Sequence, residues 1–155
     1  MMAAGAARSL DMPYATLYFE DLVVGQRASL MRTVMDNDVQ LFAMVSGDNN
    51  PIHVSDSFAS RSKFGQRIAH GMFTASLVSA VLGTELPGPG AIYLSQTIQF
   101  LGPVRIGDVV VASVQVVELV PKRRRARLFC ECLCDGRTVL EGEAWVAVEG
   151  RPAAA

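Results

Sequence analysis

The sequence predicts an α+β fold in which five antiparallel strands form a curved sheet around one buried helix at residues 70–83. Three observations predict it. The segment HGMFTASLVSAVLG is apolar nearly all round, relieved only by small hydroxyls, as a helix packed on every side must be. Four later segments, AIYLSQTIQFL, DVVVASVQVVELV, RARLFCECLCD and TVLEGEAWVAV, have the β-branched and alternating content of strands. Turn signals at Gly102-Pro103, Val120-Pro121 and Asp135-Gly136 separate them, so the four read as an antiparallel meander. GQRASLMRTV at residues 25–34, after the turn at Val24-Gly25, supplies the fifth strand. A helix with no polar face needs a sheet wrapped about it.

At 155 residues the chain reads as one domain over 16–149, with disordered tails at 1–15 and 150–155. After the first strand, Asp36 or Asn37 can cap a helix whose apolar positions include Val39, Phe42 and Ala43 and whose end is marked by Gly47. Ser55 suits the N-cap of a short second helix, and Asp56 the positive end of it. Between these two helices runs the loop SGDNNPIH, residues 46–53. Gly83 supplies the stop of the buried helix.

Fourteen basic and fifteen acidic side chains nearly cancel, so no global field draws the chain to nucleic acid or to an anionic membrane. The apolar run at 71–83 is broken by Thr74, Ser76 and Ser79 and is shorter than the roughly 18 residues of a membrane span. Three cysteines, an odd number, suit a reducing cytoplasm. Their positions, 130, 132 and 134, put all three on one face of a strand. That spacing lacks a fourth ligand and the usual knuckle, so packing explains it better than zinc.

The loop at 46–53 carries an acid, two amides, a proline and one of only two histidines. An Asx turn followed by a surface histidine would leave Asn50 and Pro51 unexplained. The longer stretch FAMVSGDNNPIHVSDSFA, residues 42–59, resembles the hydratase 2 motif of MaoC-like (R)-specific enoyl-CoA hydratases. IAHGM before the buried helix, IYLSQTIQFLGPVRIGD at 92–108 and GEAWV near the end resemble family segments in the family's order.

The resemblance implies a hot-dog fold, a curled antiparallel sheet around a long central helix. It also implies reversible hydration of a trans-2-enoyl thioester to the (R)-3-hydroxyacyl product, without metal or redox cofactor, on an acyl-CoA or acyl-carrier substrate and in a homodimer. Hydration at C3 needs a base for water, an acid for C2 and donors for the enolate oxygen. By the resemblance, Asp48 is the principal base, His53 its partner in water activation and proton return, and Asn50 an amide that orients the water or its neighbours. The two roles can exchange between the directions of the reaction. Pro51 stiffens the bend between them. The backbone amide of Gly71, at the start of the buried helix, is the expected oxyanion donor. For Ser79 two readings stand, a hydrogen bond near Asp48 by similarity to relatives, or a core serine satisfied by its own helix.

His70, beside Gly71, reads as structural. PKRRRAR at 121–127 reads first as a solvated hairpin, with phosphate contacts to CoA as the second reading and nucleic acid or membrane as the third. Phe100 and Trp145 line either the substrate channel or the core. Two competitors to hydration remain open on this sequence, a thioesterase of the same fold and a catalytically silent acyl-thioester-binding module.

Overall fold

The computed structural model describes residues 17–154, so the tail expected at 1–15 lies outside the described residues. In chain order these residues form β1 (Arg27–Thr33), α1 (Asp36–Ser46), α2 (Pro51–Val54), α3 (Asp56–Ser60), α4 (Gly71–Thr84), β2 (Ile92–Gln96), β3 (Gln99–Phe100), β4 (Val109–Val120), β5 (Arg125–Cys134) and β6 (Arg137–Ala147). Strict alternation decides the long strands. Val110, Ala112, Val114 and Val116 of β4 and Ala126, Leu128, Cys130, Cys132 and Cys134 of β5 are buried, while the residues between them are less so. α4 completes this core with Phe73, Leu77, Val78, Val81 and Leu82. Each large apolar side chain so buried contributes about 1.5–3 kcal/mol.

The sheet has six strands rather than the five expected, in the order β1-β4-β5-β6-β2 with β3 also on β6. What reads as one strand over 91–101 is broken at Thr97 and Ile98. There the Thr97 carbonyl oxygen lies where a Cβ on Gly142 would sit, only 1.8 Å from it, so β6 must carry a glycine at the crossing. The Thr97 hydroxyl takes over as acceptor for Glu143 N–H at 3.0 Å.

The expected meander is corrected as well. β4, β5 and β6 follow one another, but β2 pairs with β6 rather than with β4. β1 already occupies the free side of β4, with Arg27 opposite Gln115, which leaves β6 as the edge that β2 can join.

Three local expectations change. α1 is capped neither by Asp36 nor by Asn37: Met35 is the N-cap, and Asp38 reaches back to accept its N–H at 2.9 Å while pairing with Arg32. α4 continues through Gly83 to Thr84 and ends at Glu85, because Gly83 does not take up the left-handed conformation of a stop. Nor is α4 covered on every side in the single chain. Met72, Ser76 and Ser79 form an exposed stripe along it.

The expected C-terminal tail is tied down at its start. Arg151 N–H donates to Glu20 at 2.8 Å, and its guanidinium pairs with Asp21 and lies over Tyr18. The three cysteines are free thiols in the core, and burial pushes them up to about 11 for Cys130, about 12 for Cys132 and about 11 for Cys134. PKRRRAR forms the β4–β5 hairpin with Lys122 to Arg125 exposed, and Arg127 is paired with Glu118 and Glu143. No helix among the described residues is long and apolar enough to cross a membrane.

Candidate active site

The loop between α1 and α2 is held by a relay of side-chain to backbone hydrogen bonds. α1 ends as expected, with Gly47 in the left-handed region at φ 77° and its N–H on Ala43 O. The Ser46 hydroxyl donates to Phe42 O at 2.6 Å and accepts from Asp48 N–H at 3.1 Å. The Asp48 carboxylate then accepts from Asn50 N–H at 3.2 Å, and the Asn50 side-chain oxygen from Ile52 N–H at 3.1 Å. Asn50 is therefore the N-cap of α2, and Pro51 fills the first helical position, where a missing N–H costs nothing. The expected plain loop thus contains a single helical turn, and His53 stands on it.

Ser55 caps α3 as expected, accepting from Phe58 N–H at 3.3 Å. Arg67 fastens the segment from outside. It pairs with Asp36 at 2.6 Å and Asp56 at 2.7 Å and donates to the main-chain carbonyl of His53 at 3.3 Å. With both carboxylates exposed to solvent, such pairs contribute roughly 0–1 kcal/mol each. Their role is to join the starts of α1 and α3 to the turn that carries His53.

His53 is 8% exposed, and its Nδ1 lies 2.8 Å from the main-chain carbonyl of Ile68. A carbonyl only accepts, so Nδ1 carries the hydrogen and Nε2 is left bare. Burial pushes the imidazole below its ordinary 6.5, and the neighbouring His70 adds to this, while the Ile68 bond and the Asp48 carboxylate oppose it. The net direction leaves His53 a neutral acceptor at neutral pH. A carboxylate oxygen of Asp48 and one ring nitrogen each of His53 and His70 lie within 4.8 Å of one another.

A carboxylate and two imidazoles so close could in principle hold a metal. His53 Nδ1 and His70 Nε2 each lie within hydrogen-bond distance of a main-chain carbonyl, and the two rings are stacked with centroids 4.0 Å apart and planes 30° apart.

His53 faces a cavity of about 410 Å³ whose wall includes Lys63, Gly71, Thr74, Phe100 and Val139. Gly71 opens α4, whose first intrahelical bonds run from Phe73 and Thr74 to His70 O, so the Gly71 amide precedes the ladder and belongs to the positive end of the helix. A Cβ there would stand 2.8 Å from the Phe100 ring, so the glycine lets the aromatic wall approach the helix start.

Asp48 and Asn50 are exposed and stand beside His53 rather than in this wall. Ser79 is not brought to it. It lies about 12 Å further along α4, on the exposed stripe. Phe100 does line the cavity, whereas Trp145 lines a separate hollow with Leu94 and Arg125. Lys63, Thr74 and Val139 were missed, because each becomes a wall residue only through folding. The Ile68 carbonyl was missed for a simpler reason: a main-chain acceptor has no letter.

A family model for the MaoC like domain matches residues 23–129. A 3-hydroxybutyryl-CoA dehydratase of Methylorubrum extorquens is 58% identical over 132 residues, covering 85% of this chain and 84% of that protein. An (R)-specific enoyl-CoA hydratase of Rhodospirillum rubrum is 51% identical over 134 residues, covering 86% and 93%. Among solved structures, the unliganded R-hydratase of Pseudomonas aeruginosa superposes with a TM-score of 0.84 at 39% identity over 88% of each chain. The hot-dog-like α+β arrangement, a central helix against a mostly antiparallel sheet, is common to the two structures. The length matched by the family model and the extent of these likenesses lead to one conclusion: the chain belongs to the MaoC-like domain family.

Proposed function

We propose that this chain is an (R)-specific enoyl-CoA hydratase, adding water reversibly to a trans-2-enoyl thioester on an acyl-CoA or acyl-carrier handle. The observation that carries the reading is the bare Nε2 of His53, held at the wall of a cavity beside the Asp48 carboxylate and the start of α4. One water donates a hydrogen bond to each of the two acceptors. Asp48 takes the proton as the oxygen attacks C3, and the proton returns to C2 on the same face through the Asp48–His53 pair, giving syn addition. The Gly71 amide receives the negative charge on the thioester oxygen, a donor commonly worth about 2.7–4 kcal/mol. Asn50 acts by capping the turn that carries His53. Close likeness to a dehydratase and to hydratases acting on acyl-CoA supports the same reading.

The working unit is proposed to be a homodimer in which the sheet curls about α4. Of the two sheet edges, β1 is guarded by Arg27 and Arg32, whereas β2, IYLSQ, carries no charge and exposes Ile92, Tyr93 and Leu94. An uncharged apolar edge invites a second strand, here that of a second copy. Such a partner also offers cover for the Met72, Ser76 and Ser79 stripe. Size-exclusion chromatography with light scattering tests this, and a monomer at micromolar concentration removes it.

The catalytic test uses crotonyl-CoA. Loss of enoyl absorbance without free thiol, with an (R)-3-hydroxy product, is expected. Release of free CoA instead makes the protein a thioesterase, and binding without turnover makes it a silent module. Asp48→Asn is expected to lower kcat by about 10²–10⁴ with the circular dichroism spectrum unchanged.

A further inference from the structure

We infer that His70 is a positioning residue of this reaction, one ring that sets the separation of Asp48 and His53 by holding the main chain of the first and the ring face of the second. Its Nε2 lies 2.9 Å from the main-chain carbonyl of Asp48, 22 positions earlier in the chain. Its ring stacks on that of His53, and Phe42 supports it at 4.9 Å between centroids.

Two ordinary reasons for a histidine at this place fail. His70 occupies the N-cap position of α4, yet its side chain makes no cap hydrogen bond, where a serine or aspartate would. Packing does not explain it either. The residue is 1% exposed, and its Nδ1 is buried with no hydrogen-bond partner among the described residues, a cost that an apolar side chain of similar size would avoid. What the imidazole gains in exchange is the single bond to Asp48. Because that acceptor is a carbonyl, His70 is hydrogenated at Nε2, the opposite tautomer to His53, which is hydrogenated at Nδ1.

The inference rests on the hydratase reading of Asp48 and His53, but its first test needs no turnover. With only two histidines in the chain, long-range ¹H–¹⁵N spectra of the ¹⁵N-histidine-labelled protein distinguish them. Expected is one ring protonated at Nε2 and one at Nδ1, with the Nε2 signal lost in His70→Gln. A His70 protonated at Nδ1 overturns the proposal.

The second test compares His70→Leu, which keeps volume and loses the N–H, with His70→Gln, whose amide reaches the same carbonyl. A misplacement of about 1 Å is enough for roughly 10²-fold in rate. His70→Leu is expected to lower kcat on crotonyl-CoA by about 10- to 100-fold with little change in KM, and His70→Gln to recover most of it. Wild-type kcat in His70→Leu, or equal loss in both variants with native circular dichroism, sinks the inference. If His70→Leu does not fold, His70→Asn takes its place, since its shorter amide cannot span the gap. Undiminished turnover in Asp48→Asn would remove the hydratase reading while leaving the tautomer result standing.

Discussion

The two ends of the sheet hold hollows of opposite character. At the start of α4 the cavity is about 410 Å³ and is faced by a histidine committed on one nitrogen and bare on the other. At the β4–β5 hairpin the hollow is larger, about 670 Å³, and is rimmed by Lys122, Arg123 and Arg124. Val139, in the cavity wall, and Ala147, opposite Arg125, are eight positions apart on β6, or about 26 Å at a strand's rise. Volume and charge favour the hairpin. Constraint favours the α4 end, where the Asp48 carboxylate, the Asn50 side-chain oxygen and His53 Nδ1 are each tied to a main-chain group, and constraint is what a proton-transfer step requires.

The sharpest way to break this contrast is to exchange the treatment of the two ends. His53→Ala is expected to reduce kcat on crotonyl-CoA by about 10²–10⁴ in steady-state assays. Equal activity in His53→Ala and wild type would erase the distinction between the hollows.

Acid titration comes next. The folded protein holds His53 below 6.5, so between that ordinary value and the lower folded one the unfolded chain takes up a proton that the folded chain refuses. Stability is therefore expected to fall as pH drops through that window and to level off beneath it, and activity to decline as Nε2 is occupied. Urea midpoints from pH 7.5 to 4.5, with His53→Gln as the reference, check the sign. A slope unchanged by the substitution would contradict it.

Gly71→Ala should be milder. The added methyl displaces the Phe100 ring, which is half exposed and free to turn, at about 0.5–1.5 kcal/mol. If that cost falls on binding, KM rises roughly two- to twelvefold, with the melting temperature little altered. At the bottom of the scale, replacing Lys122, Arg123 and Arg124 together by alanine is expected to leave kcat within about twofold, since the substituted side chains are exposed and remote from His53. A large loss of kcat would assign the hairpin a part in the chemistry.

How much of this was legible in the letters depends on where each partner lies. Asp48 and His53 are five positions apart, and the motif that joins them could be read directly. The caps at Gly47 and Ser55 were equally plain, since each acts within a few residues. The alternation of β4 and β5 announced their inward faces, cysteines included. The pairing of β2 with β6 could not be read, because it depends on which edge the rest of the sheet leaves open. The break at Thr97 was hidden for a related reason. It depends on the room left by Gly142, on a strand more than forty residues away. His70 read as merely structural because its bond goes to a backbone oxygen in a distant segment.

The hydrogen that His53 gives to Ile68 has a consequence for how such a site changes over time. Its acceptor is part of the peptide chain, so substitution at residue 68 leaves the imidazole's orientation intact as long as the local path survives. Drift in that side chain reshapes the cavity wall without touching the histidine's tautomer, whereas a one-residue insertion between 65 and 70 would rotate the imidazole away while conserving every catalytic letter.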